Sequence, residues 1–204
     1  MAYLATTCTP AELDAQISTK LADSGNLYWS ASEISDARNH AVLGLYPRFR
    51  LKAKDISLTS SVSTNSYTLP AAITAVGDDA VVAVDINGVI VTDWEVWNGT
   101  LYSPRQGVWT VAKTIAVYYT KPFTVPVSTT TDVPPVLQPL VVLRACLELV
   151  DKKIMEANKG LSAHWFQLKR QWANEAEQIA SSVEANQKYF NVAGEILYDG
   201  GHGK

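Results

Sequence analysis

Apolar residues recur at helical spacing in the first fifty residues of the chain. The first stripe repeats every fourth residue and consists of Leu13, Ile17 and Leu21. The segment Thr9-Pro10-Ala11-Glu12 precedes it and combines an N-cap threonine, a first-turn proline and a glutamate that can close a capping box. A second helix is expected after Ser30, which can act as its N-cap while Glu33 closes the capping box. Pro47 is expected to kink or end this helix.

The pattern changes to β-branched and aromatic residues between residues 56 and 131. Two Asn-Gly pairs, Asn87-Gly88 and Asn98-Gly99, lie between apolar runs in this stretch. An Asn-Gly pair favours a tight hairpin because both central residues of the turn need a positive φ. Strands are predicted at Ser66–Leu69, Val81–Ile86, Val89–Val91, Trp94–Trp97, Thr100–Tyr102, Val108–Ala112 and Thr114–Tyr119. They form an antiparallel set rather than alternating strand and helix units.

Two further helices are predicted after a linker rich in proline and threonine, Lys121–Thr131. The first follows Asp132-Val133-Pro134-Pro135 and is apolar on more than one side, so we expect it to be buried on several faces. Gly160 interrupts the pattern. The second carries a stripe at intervals of three and four, which consists of Leu161, Trp165, Leu168, Trp172, Ala176, Ile179 and Val183. The two helices are expected to pair as a hairpin.

These elements predict an α+β fold in two parts and a tail. An α-helical bundle, made of the N-terminal helices and the long C-terminal helical hairpin, takes residues 1–55 and 132–188. An antiparallel β-meander or small sandwich, residues 56–131, is inserted into it. Residues 189–204 are predicted to be an extended C-terminal tail, whose apolar side chains pack on a partner, on a neighbouring copy or back on the chain itself.

Composition and charge narrow the class of protein. The formal net charge is -3, which predicts no strongly basic face and argues against sequence-driven binding to nucleic acid. We find no signal peptide and no apolar run long enough to span a membrane, and we expect no membrane partner. The two cysteines, Cys8 and Cys146, lack the spacing of metal ligands and are typical of assembly in a reducing cytoplasm.

A search for catalytic chemistry yields no candidate. The sequence contains no glycine-rich phosphate loop, no His-Glu-x-x-His, no Gly-x-Ser-x-Gly and no Cys-x-x-Cys motif. His40, His164 and His202 are far apart in the chain and are interpreted as surface or packing residues. Asp78 and Asp79 lack the spacing of a calcium loop and are interpreted as turn residues. We therefore expect no catalytic residue, no cofactor site and no metal site.

Aromatic residues cluster on the predicted hairpins instead. They are Trp94, Trp97, Tyr102 and Trp109. Two interpretations stay open for them. They are either part of a sheet core or a subunit interface, which aromatic residues favour, or a platform on which sugar rings stack.

The order and spacing of these segments resemble the head-to-tail adaptor, or connector, proteins of tailed bacteriophages. The segment from Tyr28-Trp29-Ser30 to Tyr46-Pro47-Arg48-Phe49 resembles the opening helices of that family. The run from Ser66 to Trp94-Glu95 resembles its β-region, and Tyr118–Pro135 resembles the exit from the sheet. The apolar helix up to Asp151-Lys152-Lys153 resembles the long helix of its bundle. The resemblance covers most of residues 28–155.

The resemblance implies a structural virion protein of the viral neck that is not an enzyme. Family members form a ring, commonly a homododecamer, beneath the portal protein, where it extends the channel for dsDNA ejection and carries the tail or its tube and nozzle proteins. Double-stranded DNA then passes without sequence-specific binding, and the ring assembles in the host cytoplasm. Carried over to this chain, the portal-docking residues are Tyr189, Phe190, Ile196, Leu197 and Tyr198. The inter-subunit or tail-facing residues are Trp94, Trp97, Tyr102 and Trp109.

Overall fold

The chain has an α+β fold with antiparallel sheets and divides into two compact units. A computed structural model describes residues 8–23, 25, 27–61, 64–103, 112–126, 131–156, 162–186 and 189–191. The helical unit takes the described residues of Met1–Phe49 and Phe123–Lys188, and the β unit takes those of Arg50–Pro122 and Tyr189–Lys204.

The helical unit contains α1 (Pro10–Lys20), α2 (Ala31–Leu43), α4 (Gln138–Glu156) and α5 (Ser162–Asn186). Both predicted capping boxes are confirmed, because Thr9 with Glu12 and Ser30 with Glu33 exchange side-chain and backbone hydrogen bonds. α2 ends at Leu43, and Gly44 forms its C-cap. The helix therefore stops before Pro47.

The predicted burial of α4 on several faces is confirmed. It packs against α1, α2 and α5, and its buried residues include Leu140, Val141, Leu143, Ala145, Cys146, Leu149 and Val150. In α5 the predicted stripe is the less exposed face, with Trp172, Ala176 and Val183 buried. The connection between α4 and α5, with Gly160, lies outside the described residues.

The β unit contains a five-stranded sheet in the order β4-β3-β7-β1-β8 and a three-stranded sheet in the order β2-β6-β5. The strand bounds are β1 Arg50–Thr59, β2 Ser66–Thr68, β3 Val81–Ile86, β4 Val89–Val91, β5 Glu95–Trp97, β6 Thr100–Tyr102, β7 Thr114–Lys121 and β8 Tyr189–Asn191. A single helical turn, α3 (Ala71–Thr74), and a short 3-10 turn at Asp78–Ala80 lie between β2 and β3.

Both predicted hairpins are confirmed. β3 pairs with β4 and β5 pairs with β6, each through a two-residue Asn-Gly turn. Asn87 and Gly88 have φ values of 54° and 87°, and Asn98 and Gly99 have values of 48° and 69°. These are the positive φ angles that the Asn-Gly pairs predicted.

The prediction of an antiparallel β-meander is wrong for the larger sheet, because strands that follow one another in the chain are not all neighbours in it. β7 lies between β3 and β1, and it is antiparallel to both. The reason is its apolar content: alternate residues of β7, Ile115, Val117 and Tyr119, are buried in the core, which favours a central strand. β1 begins at Arg50, inside the segment predicted to belong to the helices, and the predicted strand Val108–Ala112 lies largely outside the described residues.

One apolar core is shared by the two sheets and α3. Its buried members are Ala53, Tyr67, Leu69, Ile73, Val81, Val84, Ile86, Leu101, Ile115, Val117 and Tyr119. Each of the two sheets therefore contributes one face to this core.

Candidate interaction surfaces

Two carboxylates bind backbone groups of the predicted hairpin turns. Asp78 accepts the backbone N–H of Asn98 at 2.7 Å and that of Gly99 at 2.9 Å. Asp85 accepts the N–H of Gly88 at 2.6 Å. The geometry agrees with the interpretation of Asp78 as a turn residue, because each of its carboxylate oxygens accepts a backbone N–H of the Asn98-Gly99 turn.

The histidines and cysteines do not assemble into a reactive site among the described residues. No cluster of three or more potential metal ligands occurs there. His40 contacts Glu148 on the helical surface at 3.0 Å, and His164 lies against Trp165, whereas His202 lies outside the described residues. Both thiols are buried, and burial raises the pKa of Cys146 to about 12, so this thiol is protonated at neutral pH.

Trp97 and Tyr102 lie on the outer face of the three-stranded sheet. Cross-strand partners share a face, and Trp97 pairs with Thr100 while Glu95 pairs with Tyr102. The alternate residue Leu101 points into the core and is fully buried. The Trp97 side chain is 69% exposed and that of Tyr102 is 40% exposed, so the β unit presents two aromatic rings to solvent.

The other two tryptophans of the predicted aromatic cluster have different positions. Trp94 is partly buried and packs against the core of the β unit. Trp109 lies outside the described residues. The structure thus brings Trp97 and Tyr102 together on one face and directs Trp94 toward the core.

The beginning of the predicted docking tail is a strand. β8 pairs in parallel with β1, with Tyr189 opposite Arg50 and Phe190 opposite Leu51. Ile196, Leu197 and Tyr198 lie outside the described residues, so docking through them stays a prediction. The local sequence gave little signal for this strand, because three residues are too few to show a period.

A second exposed apolar feature, in the helical unit, was missed by the sequence interpretation. The carboxylate of Asp23 accepts the backbone N–H groups of Leu27, Tyr28 and Trp29 at 2.8, 3.1 and 3.1 Å. The Leu27 side chain is 85% exposed and that of Tyr28 is 65% exposed, whereas Asp23 itself is buried. We call residues 27 and 28 the apolar loop. Three hydrogen bonds to a carboxylate fix a backbone that would otherwise be free to withdraw these side chains from water.

Trp29, the residue after the apolar loop, packs against α4 and α5. Its ring is buried and meets that of Trp165 edge-on at a centroid distance of 6.0 Å. The Lys153 Nζ lies 6.0 Å from the centroid of the Trp29 ring, within the range of a cation–π contact. The loop therefore stands next to the C-terminal turns of α4 and the N-terminal turns of α5.

An open groove occupies another part of the helical unit. Its volume is about 420 Å³, and it is lined by Ala15, Gln16, Thr19, Lys20, Pro139, Val142, Leu143 and Glu175. These residues belong to α1, α4 and α5. Aliphatic side chains form the floor, and Lys20 and Glu175 form an ion pair of 3.1 Å at the rim.

No family model matches the chain, and no curated protein matches it. None of the described helices has both the length and the hydropathy that crossing a membrane requires.

Proposed function

We propose that the chain is a structural virion protein, a head-to-tail adaptor that forms a ring, a homododecamer in this proposal, beneath the portal of a tailed bacteriophage. The ring extends the dsDNA channel and provides the platform for the tail. The observation that carries the proposal is the exposure of large apolar side chains on both units, Trp97 and Tyr102 on one and Leu27 and Tyr28 on the other. Exposed apolar patches are typical of surfaces that other subunits cover.

The resemblance in the order of segments supports the same proposal. The adaptor architecture requires a helical bundle with a long C-terminal hairpin and an inserted β unit. Helices on both sides of the β unit in sequence are compatible with it. In this proposal the helical unit belongs to the wall of the ring, which is located in the virion neck and assembles in the host cytoplasm.

Docking to the portal is assigned to Tyr189, Phe190, Ile196, Leu197 and Tyr198. Tyr189 and Phe190 pair with β1 through their backbone, and in this proposal the docking segment continues from that strand. Aromatic and large aliphatic residues supply most of the binding energy of protein interfaces. Attachment of the tail or nozzle protein is assigned to Trp97 and Tyr102, and the proposal extends this role to Trp109 but not to Trp94, whose side chain packs on the core.

The electrostatics are compatible with a conduit for DNA. A net charge of -3 provides little attraction for phosphates, so DNA passes without being held in a sequence-specific way. In this proposal the protein acts mechanically: it binds the portal, continues the channel and presents a surface to the tail, with no catalytic step and no cofactor.

The proposal is tested by mixing the purified chain with portal particles of the same phage and measuring co-sedimentation. A chain that ends after Asn191 keeps β8 and its pairing with β1, so loss of binding in this variant reports on the docking segment rather than on the sheet. The matched control is a chain that lacks only residues 200–204. We expect the full chain and the control to bind and the shorter chain to lose binding. Binding by the shorter chain would remove the docking role of residues 192–198.

A carbohydrate-binding or tail-tip β module is the second candidate, and the exposed indole of Trp97 favours it. A flat aromatic face in water is the surface on which sugar rings stack. Glycan binding by a monomeric chain, lost in Trp97→Ala and retained in Thr68→Ala on the same sheet face, would support this candidate over the adaptor.

A further inference from the structure

We propose that Asn87 is a modification site, which deamidates by attack of the Gly88 backbone nitrogen at a rate set by the carboxylate of Asp85. The inference goes beyond the proposed function, because it concerns a chemical change within the β unit and does not depend on any partner. Asn98, in the second hairpin, also precedes a glycine and has a similar positive φ, yet it is the slower site. The contacts that distinguish the two turns carry the argument.

Deamidation of an Asn-Gly pair requires no enzyme and no co-reactant except water. The backbone nitrogen of the glycine loses its proton and attacks the side-chain Cγ of the asparagine. The bond from nitrogen to Cγ forms, the bond from Cγ to the side-chain nitrogen breaks, and ammonia leaves with the proton, so that a cyclic imide remains. Water then opens the imide at either carbonyl, which leaves aspartate or isoaspartate. Glycine favours the attack because it has no Cβ and the widest backbone freedom.

The first hairpin turn is accessible to this reaction. Asn87 and Gly88 are both exposed, and a Cβ built on Gly88 would meet no atom of the described residues within 4 Å. Water therefore reaches the turn, and the glycine has room for the rotation that brings its nitrogen toward the asparagine side chain. The turn joins β3 to β4, the strand at one end of the five-stranded sheet.

A hydrogen bond from the attacking nitrogen itself restrains this turn. Gly88 donates its N–H to Asp85 Oδ1 at 2.6 Å. The bond opposes the reaction in two ways, because it stabilises the neutral N–H and because the carboxylate repels the negative charge that forms on nitrogen when the proton leaves. A carboxylate is far too weak a base to remove an amide proton, so Asp85 slows the attack and does not assist it.

The second hairpin turn is held by more contacts. The carboxylate of Asp78 accepts the N–H of Asn98 at 2.7 Å and that of Gly99 at 2.9 Å. The Gly99 carbonyl accepts the N–H of Leu69 at 2.9 Å. A Cβ on the same glycine would lie 2.9 Å from the side chain of Thr74. Rotation toward the attacking geometry would break several of these contacts at once, so we expect the first turn to react before the second.

Deamidation changes the first hairpin in charge and in length. An aspartate in place of Asn87 adds a negative charge close to that of Asp85, and an isoaspartate adds one backbone atom to the turn. The pairing of Ile86 with Val89 depends on a turn of two residues. The isoaspartate product should therefore lose the pairing of β4 with β3, while the second hairpin keeps its register.

The first test compares the two sites within the unsubstituted full chain. The folded chain is incubated in mildly alkaline heavy-oxygen water, which labels the residues that react during the incubation, and the peptides are mapped by mass spectrometry. We expect Asn87 to react about fivefold faster than Asn98 or more, and both to react at similar rates in urea, where the turns are lost. Equal rates in the folded chain, or a faster reaction at Asn98, would overturn the inference.

Two variants then separate the charge of Asp85 from its hydrogen bond. Asp85→Asn keeps an oxygen that can accept the Gly88 N–H but removes the charge, and Asp85→Ala removes both. Asn87 should react about fivefold faster in the first variant and faster again in the second, with Asn98 unchanged. The matched control is Glu95→Gln, which removes an exposed carboxylate from the second hairpin and should leave the rate at Asn87 as it is.

The role of Asp85 has its own contradicting outcomes. An unchanged or lower rate at Asn87 in both Asp85 variants would remove that role, and so would an equal rise in Glu95→Gln. Circular dichroism shows whether each variant is folded before its rate is compared. The comparison of the two sites in the unsubstituted chain stands without any variant, so a variant that does not fold leaves the inference open to refutation.

Discussion

Gly99 packs closely on the side chain of Thr74. A Cβ atom on the glycine would lie 2.9 Å from the threonine Cγ2. The N–H of the same glycine is bound by Asp78, so the turn cannot move away without losing that hydrogen bond. The β5–β6 hairpin, which carries Trp97 and Tyr102, is thus held against the short helix α3. This contact positions the aromatic face of the β unit.

Gly99→Ala should destabilise the chain more than Gly88→Ala. Both glycines have a positive φ, which costs a residue with a Cβ about 1–2 kcal/mol. A Cβ at Gly88 meets nothing within 4 Å, so Gly88→Ala is the matched control for backbone strain alone. The excess loss in Gly99→Ala, measured by urea unfolding, should be recovered in part by Thr74→Ser, which removes the Cγ2 atom. Equal losses in the two alanine variants would contradict the packing described here.

Trp94 and Trp97 should respond differently to replacement by alanine. Trp94→Ala should lower the free energy of unfolding by about 2 kcal/mol, because its side chain packs on the core. Trp97→Ala should change it by less than about 0.5 kcal/mol, because the side chain is mostly exposed. Thermal and urea unfolding of the two variants checks this. A large loss in Trp97→Ala would mean that its ring supports the fold and is not available to a partner.

The chain should lose helical structure in acid partly through its capping boxes. Backbone hydrogen bonds from Thr9 and Ser30 lower the pKa values of Glu12 and Glu33 from their ordinary value of 4.5. Because the folded-state pKa is the lower one, each carboxylate contributes stability that is fully present above about pH 4.5. That stability is lost as the pH falls through the folded-state pKa.

The double variant Glu12→Gln with Glu33→Gln is the control for this acid dependence. Glutamine can also close a capping box but carries no charge to protonate. Circular dichroism against pH should therefore show a weaker acid transition in the variant than in the unsubstituted chain. Identical transitions would show that other carboxylates, such as Glu177 beside Arg48, account for the acid dependence.

Cys146 should resist alkylation in the folded chain. Burial raises the pKa of its thiol to about 12, and the thiolate is the form that reacts. Burial also raises the pKa of Cys8. Mass spectrometry after iodoacetamide treatment at pH about 8, near the ordinary thiol pKa, should show little modification of Cys146 before unfolding and full modification after it. Rapid labelling of Cys146 in the folded chain would contradict the packing of α4 against α1.

Asp23→Ala should release the apolar loop. Three backbone N–H groups lose their acceptor, and Trp29 loses part of its anchorage. We expect a lower melting temperature and a shift of tryptophan fluorescence toward that of exposed indole. Asp36→Ala, in the middle of α2, is the matched control for removal of an acidic residue. An unchanged spectrum in Asp23→Ala would show that Trp29 alone fixes the loop.

The local parts of the fold could be predicted from the sequence. Asn-Gly turns and capping boxes depend on residues that are neighbours in the chain, and both hairpins and both boxes are where the pattern predicted them. The buried faces of α4 and α5 follow from helical periodicity for the same reason.

The long-range parts could not be predicted. β1 has charged residues at Lys52, Lys54 and Asp55, and a bulge between Asp55 and Leu58 breaks its alternation, so it lacks the pattern of a central strand. Its place beside β7 is set by a pairing across more than fifty residues. The apolar loop depends on hydrogen bonds from backbone N–H groups to Asp23. Every residue except proline has a backbone N–H, so the sequence does not show which of them will bind a carboxylate.

Cryo-electron microscopy of the purified chain mixed with bacteriophage portal particles is the most direct test of the proposed adaptor role. If the proposal is right, we expect a closed ring of this chain beneath the portal, coaxial with the channel, with the helical unit in its wall and the face of Trp97 and Tyr102 turned away from the portal. Portal particles that carry no density for the chain, under conditions in which the chain is folded, would contradict it.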